Sequence, residues 1–162
     1  MQSVVRNLNE TYEASPRSVA DGRAKLADFA ARAGATPNQV DAVRLAASEA
    51  MTNSVLHAYR SGPGLIYVNA AVASGELWIL ISDDGCGLKP RADRPGLGLG
   101  LGLISEVSDD FAVVSRATGG TEVRIRFNLV TADESAEAPA RAERVGSGNG
   151  RRNGFSPSMA IA

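Results

Sequence analysis

A carboxylate, an amide and an imidazole follow one another at intervals of four residues in the stretch SEAMTNSVLHAY, residues 48–59. An α-helix would place Glu49, Asn53 and His57 in one column, because residues four apart lie on the same helix face. Polar side chains set into an apolar face are typical of the wall of a ligand pocket. The alternatives are an ordinary surface pair for Glu49 and Asn53, and a half-buried packing residue near the helix end for His57.

The rest of this helix supports the pocket interpretation. At 100° per residue, one side of the helix should pack on a sheet, and it carries Val40, Ala47, Met51 and Ala58, flanked by Val43, Ser54 and Val55. A solvated opposite side would carry charged residues. Instead, the surroundings of Glu49 and Asn53 are expected to be apolar and consist of Ala42, Leu45, Ala46 and Leu56.

A second candidate site follows an apolar run at residues 76–83. Asp83 ends that run, and glycines follow at positions 85 and 87. A carboxylate beside a tight glycine bend can approach a flat ligand and accept a hydrogen bond from an exocyclic amine. A plain turn remains the alternative. Cys86, inside this bend, is either a small residue filling a turn or a redox-sensitive thiol.

A third candidate site is the run GLGLGLGLI at residues 96–104, in which four glycines alternate with leucines before a short helix. Backbone amides at a helix N-terminus, unshielded by side chains, favour phosphate oxygens. The run is not a P-loop, since no Gly-Lys-Ser/Thr follows. It is also a poor dinucleotide fingerprint, because the glycines come well after the preceding strand.

The elements that must position these residues can be read from periodicity and from turn and cap signals. Strands are predicted at 9–14, 65–73, 76–83, 111–116 and 121–129, and helices at 16–34, 37–59 and 101–107. Serine followed by proline at 15–16 and a capping box from Thr36 to Gln39 predict the two long helix starts. The expected fold class is α+β, a two-layer sandwich of a mostly antiparallel sheet with helices on one face.

Composition limits the class of protein. The chain has 162 residues, a net charge of −1, 44% hydrophobic residues and 22% charged residues. Neither nucleic acid nor a membrane surface is indicated as a partner. No apolar run approaches the roughly 20 residues that span a bilayer, and no signal peptide is visible. With a single cysteine, no intrachain disulfide is possible. We expect a cytoplasmic protein with one domain at 1–130 and a disordered tail at 131–162, or alternatively a partner-binding arm there.

The order of these motifs resembles the GHKL ATP-binding superfamily. The resemblance covers about residues 8–129 and includes Glu-x-x-x-Asn on a helix, Asp-x-Gly-x-Gly after a strand, the alternating glycines, and Gly-Gly-Thr before the last strand. The stretch at 48–59 is most similar to the branch of anti-sigma factor serine kinases.

The resemblance implies a role for each motif residue. Asn53 would be the Mg²⁺ ligand, Glu49 the general base for an attacking serine hydroxyl, and Asp83 the acceptor for the adenine amino group, with Thr121 helping to hold the adenine. The glycines of the first loop, Gly85 and Gly87, would let the chain pass the base. Those of the second loop, Gly98, Gly100 and Gly102, would shape the phosphate-binding turn.

The activity implied is Mg²⁺-ATP-dependent phosphorylation of a serine on a small anti-sigma-factor antagonist, together with binding of a sigma factor and a possible homodimer. One departure is the short segment at 89–95, which includes Arg91 and Arg94 and is a short lid for a kinase of this branch. A non-catalytic ATP-binding regulatory module is therefore the rival hypothesis. A stand-alone histidine kinase fits poorly, since it needs a phosphoacceptor histidine on a separate helical hairpin and the only histidine lies within the stretch 48–59.

Overall fold

The computed structural model describes residues 6–59, 62–87 and 99–130. The elements along the chain are β1 (Arg6–Glu13), α1 (Pro16–Arg32), α2 (Pro37–Asn53), a π-helical turn (Ser54–Ala58), β2 (Leu65–Ala73), β3 (Glu76–Asp83), α3 (Leu99–Val107), β4 (Asp110–Ser115) and β5 (Thr121–Asn128). The fold is α+β with one five-stranded sheet, which confirms the expected class.

The sheet has the strand order β1-β2-β3-β5-β4, and every neighbouring pair is antiparallel. The last strand in sequence therefore lies inside the sheet, between β3 and β4. In this register Ile79 of β3 pairs with Ala70 of β2 on one side and with Ile125 of β5 on the other. All three are buried, so the apolar residues of neighbouring strands share one face.

The two long helices begin where the sequence predicts. The Ser15 side chain accepts a hydrogen bond from the Ser18 amide, with Pro16 in the first turn of α1. Thr36 and Gln39 form the expected capping box at the start of α2: each backbone amide donates to the other residue's side chain. These caps satisfy amides that have no partner inside the helix.

The core lies between the helices and one face of the sheet. Leu26 and Ala30 of α1, several residues of α2, Ile104 of α3 and the inward residues of the strands form a single apolar cluster. The α2 contribution is Val43, Ala46, Ala47, Ala50 and Met51, all fully buried. The helix α2 thus lies at the centre of the helical layer, in contact with both α1 and α3.

The end of the second helix differs from its prediction. The expected helix continues to residue 59, but regular α-helix ends at Asn53 and a π-helical turn follows. Because a π turn holds more residues than an α turn, the wheel drawn at 100° per residue fails beyond that point. Leu56, expected on the apolar wall beside Glu49 and Asn53, is instead 65% exposed, so that part of the prediction is wrong.

Several expectations concern residues outside the described ranges: Gly98, Arg91, Arg94, the segment 89–95 and the tail at 131–162. Among the residues that the structure describes, no helix is both long and apolar enough to cross a membrane.

Candidate active site

The carboxylate of Asp83 is buried at the end of β3 and already has three hydrogen-bond donors. Its Oδ2 accepts from the Ser54 hydroxyl at 2.9 Å, and its Oδ1 accepts from the Gly85 amide at 3.0 Å and the Thr121 amide at 3.3 Å. Only 4% of the residue is exposed. Since a carboxylate has about four acceptor positions, roughly one remains for a donor of a bound molecule.

The loop after β3 is held close to the π-helical turn. The Cys86 amide donates to the Ala58 carbonyl at 2.8 Å, and a Cβ atom on Gly85 would lie 2.3 Å from that same oxygen. The exposed Cys86 thiol contacts the carbonyl of His57 at 3.3 Å. The imidazole of His57 is exposed, and this residue joins the described site through its main chain.

The glycine before β5 is required by both space and backbone conformation. Gly120 has a φ of +85°, and a Cβ atom there would lie 1.9 Å from the Asp83 carbonyl oxygen. No side chain fits so close to a backbone oxygen. This contact brings the Thr121 amide to the Asp83 carboxylate, so the Gly-Gly-Thr motif and the Asp-x-Gly-x-Gly motif form one site. Gly87 also belongs to it, with its Cβ position 3.7 Å from the Gly120 carbonyl.

The Glu49 carboxylate lies against the first turn of α3. A Cβ atom on Gly100 would be 2.3 Å from Glu49 Oε2, so a glycine at this position leaves the space that the carboxylate occupies. Among residues 6–59, 62–87 and 99–130, Glu49 has no hydrogen-bond or ion-pair partner. Both oxygens of its carboxylate can therefore accept a proton or a hydrogen bond from a bound molecule. Gly102, by contrast, is exposed and has no atom within 4 Å of its Cβ position.

Asn53 lies one helical turn after Glu49, and its amide is uncommitted as well. The Nδ2 atom is buried and has no hydrogen-bond partner in the described part of the chain. A buried, unpaired N–H donor is costly unless an acceptor such as a ligand oxygen satisfies it. The oxygen of the same amide is of the kind that Mg²⁺ prefers, so the residues present fit a divalent cation bound beside Glu49 together with an anionic ligand.

Sequence reasoning missed four residues of the site. Ser54 was assigned only to the sheet-packing side of the helix, yet its hydroxyl bonds Asp83. The Tyr59 hydroxyl joins the end of the π-helical turn to the Leu65 main chain and the Asp84 amide. Tyr67 and Arg116 both contact Asp84. The sequence does not predict these contacts, because the Asp83 and Asp84 groups involved lie 17 to 32 positions away along the chain.

Comparison with known proteins places the chain in a family. Residues 12–127 match the family model of the histidine kinase-like ATPase domain. An anti-sigma F factor of Clostridium botulinum (strain Alaska E43 / Type E3) is 30% identical over 138 residues, which covers 76% of this chain and 96% of the relative. An anti-sigma F factor of Heyndrickxia coagulans is 28% identical over 144 residues, which covers 80% of this chain and 90% of the relative.

A solved structure supports the fold. The crystal structure of the RsbU and RsbW domains of a Mycobacterium tuberculosis protein matches with a TM-score of 0.61 at 24% identity, covering 76% of this chain and 32% of that chain. This chain thus spans about a third of that protein. These comparisons confirm the resemblance stated from the motifs: the chain belongs to the histidine kinase-like ATPase domain family, in the branch of the anti-sigma factors.

Proposed function

We propose that this chain is an anti-sigma regulatory factor that phosphorylates a serine of a small antagonist protein with Mg²⁺-ATP and also binds a sigma factor. The observation that carries the proposal is a pair of polar groups on α2 without hydrogen-bond partners among the described residues: the Glu49 carboxylate beside Gly100, and the buried Nδ2 group of Asn53 one turn later. Ser54, the next residue, bonds the Asp83 carboxylate and so joins this pair to the second half of the site.

Adenine recognition is assigned to Asp83. Three donors fix the direction of its carboxylate, and the remaining acceptor position suits the exocyclic amine of adenine. The amides that bind Oδ1 come from the loop after β3 (Gly85) and from the first residue of β5 (Thr121), so the acceptor is held before any nucleotide arrives. Such preorganisation reduces the ordering that binding requires.

Asn53 would hold Mg²⁺ through its amide oxygen, and the bound cation would neutralise charge on the ATP phosphates. The first turn of α3 would face those phosphates, because unpaired amides at a helix start attract anions. Glu49 lies against that turn. A substrate hydroxyl that approaches the bound ATP phosphates would therefore come within reach of the Glu49 carboxylate, whose oxygens have no partner among the described residues.

Glu49 is assigned as the general base. The serine hydroxyl oxygen of the antagonist attacks the γ-phosphorus, Glu49 takes the hydroxyl proton, and the bond from the γ-phosphorus to the bridging oxygen breaks as ADP leaves. The products are phosphoserine, ADP and the proton, which Glu49 carries. The assignment is supported by the position of Glu49 against the first turn of α3. Serine as the acceptor is what the resemblance to the anti-sigma factor serine kinases implies.

The rival function is a regulatory module that binds ATP without chemistry. The feature that favours it is in the sequence: only the seven residues of 89–95 separate the loop after Asp83 from the second glycine run, which is short for a lid. In this alternative Glu49 is a pocket residue, and ATP acts as a conformational or dimerisation ligand. Either version of the proposal includes a homodimer, a cytoplasmic location, and a sigma factor and an antagonist as partners.

The deciding experiment captures partners of the full chain from its source cells with and without Mg²⁺-ATP. Each partner is then incubated with the chain and ATP carrying a labelled γ-phosphate, and phosphoserine is located by mass spectrometry. Label on a serine of one partner supports the kinase. Normal Mg²⁺-ATP binding and sigma factor binding without transfer to any partner would establish the non-catalytic module.

A further inference from the structure

The loop after β3 makes contacts on both faces of the sheet. Asp83 pairs with Ile66 and is buried with it under the helices, whereas Tyr67 pairs with Ser82 on the opposite face. Successive residues of a strand alternate between faces, so Asp84 is directed to the side of Tyr67. The carboxylate assigned to adenine thus adjoins a second carboxylate with different surroundings.

Arg116, directly after β4, joins these two carboxylate residues. Its Nη1 donates to the Asp83 main-chain oxygen at 3.0 Å and also forms an ion pair with Asp84 Oδ1. The guanidinium lies 5.7 Å from the centre of the Tyr67 ring. One arginine therefore contacts the backbone that carries Asp83, the side chain of the next residue and an aromatic face.

Tyr67 completes the cluster. Its hydroxyl donates to Asp84 Oδ2 at 2.7 Å, and this hydrogen bond, followed by desolvation and the Asp84 charge, raises the pKa of Tyr67. Both Asp84 oxygens are thereby occupied, and the Asp84 amide donates to Tyr59 at 3.1 Å. Isolated surface ion pairs contribute little to the stability of a protein. The Arg116 side chain, however, is only 28% exposed and belongs to a network of contacts.

We propose that Arg116 is a positioning residue for purine recognition, acting through the Asp83 main chain and through Asp84. The inference deepens the proposed function and depends on the assignment of Asp83 to the adenine amine. The direction in which a carboxylate points depends on the backbone that carries it. Arg116 fixes that backbone from the open face of the sheet, while Ser54, Gly85 and Thr121 fix the carboxylate from the other side.

A positioning role differs from a stabilising one in its effect on selectivity. Inosine triphosphate has the same phosphates and ribose as ATP but carries an oxygen in place of the exocyclic amine. Misdirecting Asp83 should weaken ATP binding and leave the inosine nucleotide nearly unaffected. A loss of general stability should weaken both nucleotides alike, so the ratio of the two dissociation constants separates the roles.

The test measures Mg²⁺-ATP and Mg²⁺-ITP binding by calorimetry for the full-length chain and its variants. Arg116→Met keeps an unbranched apolar stem without the guanidinium donors and should lower the ATP preference at least about fivefold. Arg124→Met is the matched control. Arg124 lies in β5, the strand paired with β4, and its side chain also pairs with an acid, Glu122, at 2.6 Å. Its ATP preference should stay within about twofold of wild type.

Asp83→Asn provides the reference. If it leaves the ATP preference intact, the adenine assignment in the proposed function is wrong. If Asp83→Asn abolishes the preference, two results for Arg116→Met overturn the positioning role: a retained preference, or equal losses of ATP and ITP affinity. The proposed function stands in either case. Should Arg116→Met fail to fold, Asp84→Asn carries the same test, because it removes the charge of the ion pair while an amide of the same size replaces the carboxylate. An unchanged preference in that variant overturns the inference.

Discussion

The Ser54 hydroxyl lies 2.9 Å from Asp83 Oδ2 and joins the helix that carries Glu49 and Asn53 to the end of β3. Both residues are 4% exposed, so this contact is shielded from water. It connects the two halves of the candidate site, one assigned to the ATP phosphates and the other to the adenine ring. The following predictions test the parts that this contact brings together.

Replacing Asp83 by asparagine should weaken ATP binding without unfolding the chain. The Asn oxygen can still accept from the two amides, and its nitrogen can donate to the Ser54 hydroxyl. Loss of a charge-assisted hydrogen bond to the adenine amine should reduce the binding free energy by about 1.5–3 kcal/mol. Calorimetry measures the change, with Asp41→Asn on the exposed surface of α2 as the control. Equal affinities for wild type and the Asp83 variant would refute the assignment.

Glu49→Gln and Asn53→Ala should separate chemistry from binding. The glutamine variant keeps the size of the side chain but cannot take the serine proton, so phosphotransfer should fall by about 10²–10⁴-fold with ATP binding retained. The alanine variant removes the oxygen donor assigned to Mg²⁺ and should lose both transfer and Mg²⁺-dependent affinity. Labelled-phosphate transfer and nucleotide binding are measured side by side. Full transfer by the glutamine variant contradicts the role of Glu49.

Gly100→Ala should displace the Glu49 carboxylate without removing it. The new methyl group would lie 2.3 Å from Glu49 Oε2, and the flexible end of that side chain can move away at little cost to the fold. Transfer should drop at least about tenfold while thermal stability is kept, since alanine favours the helix. Ser105→Ala, at an exposed position of the same helix outside the glycine turn, is the control for helix propensity. Similar transfer by both variants would argue against a base at this position.

Gly119→Ala and Gly120→Ala should differ in severity although they are neighbours. Both glycines have positive φ, +96° and +85°, so either alanine is strained by about 1–2 kcal/mol. Only at Gly120 does the added atom collide with a backbone oxygen, that of Asp83. Denaturant unfolding should show a larger loss of stability for the Gly120 variant, and calorimetry a loss of ATP binding. Equal losses would mean that the close contact with Asp83 is unimportant.

A chain ending at Val130 should keep its fold and its ATP affinity. The last strand ends at Asn128 and the family match ends at residue 127, whereas residues 131–162 lack an apolar period. Thermal unfolding and calorimetry on the truncated chain test this boundary. A tenfold loss of affinity, or loss of cooperative unfolding, would place part of 131–162 within the domain.

The features that sequence predicts best here are local. The bounds of β2 and β3 match their predictions, because the two apolar runs are separated by Ser74 and Gly75, both with positive φ in the turn. The caps at Ser15 and Thr36 depend on residues three apart. Short-range geometry of this kind is determined by a few neighbouring residues, so it is visible in one sequence.

The features that sequence did not predict depend on distant partners. The π-helical turn is bonded to the Cys86 amide, 28 positions after Ala58, and an apolar period cannot distinguish it from an α turn. Arg116 would be solvated by default at a strand end, and only the fold brings it to Asp83 and Asp84. The position of β5 inside the sheet is likewise a property of the whole topology.

That position has a consequence during synthesis. β5 is made last, yet it supplies the neighbour of both β3 and β4. Until it has left the ribosome, β4 lacks its partner in the sheet and one edge of β3 remains open. The Thr121 amide that binds the Asp83 carboxylate also belongs to β5. A nascent chain that is still incomplete therefore lacks one of the donors that hold the Asp83 carboxylate.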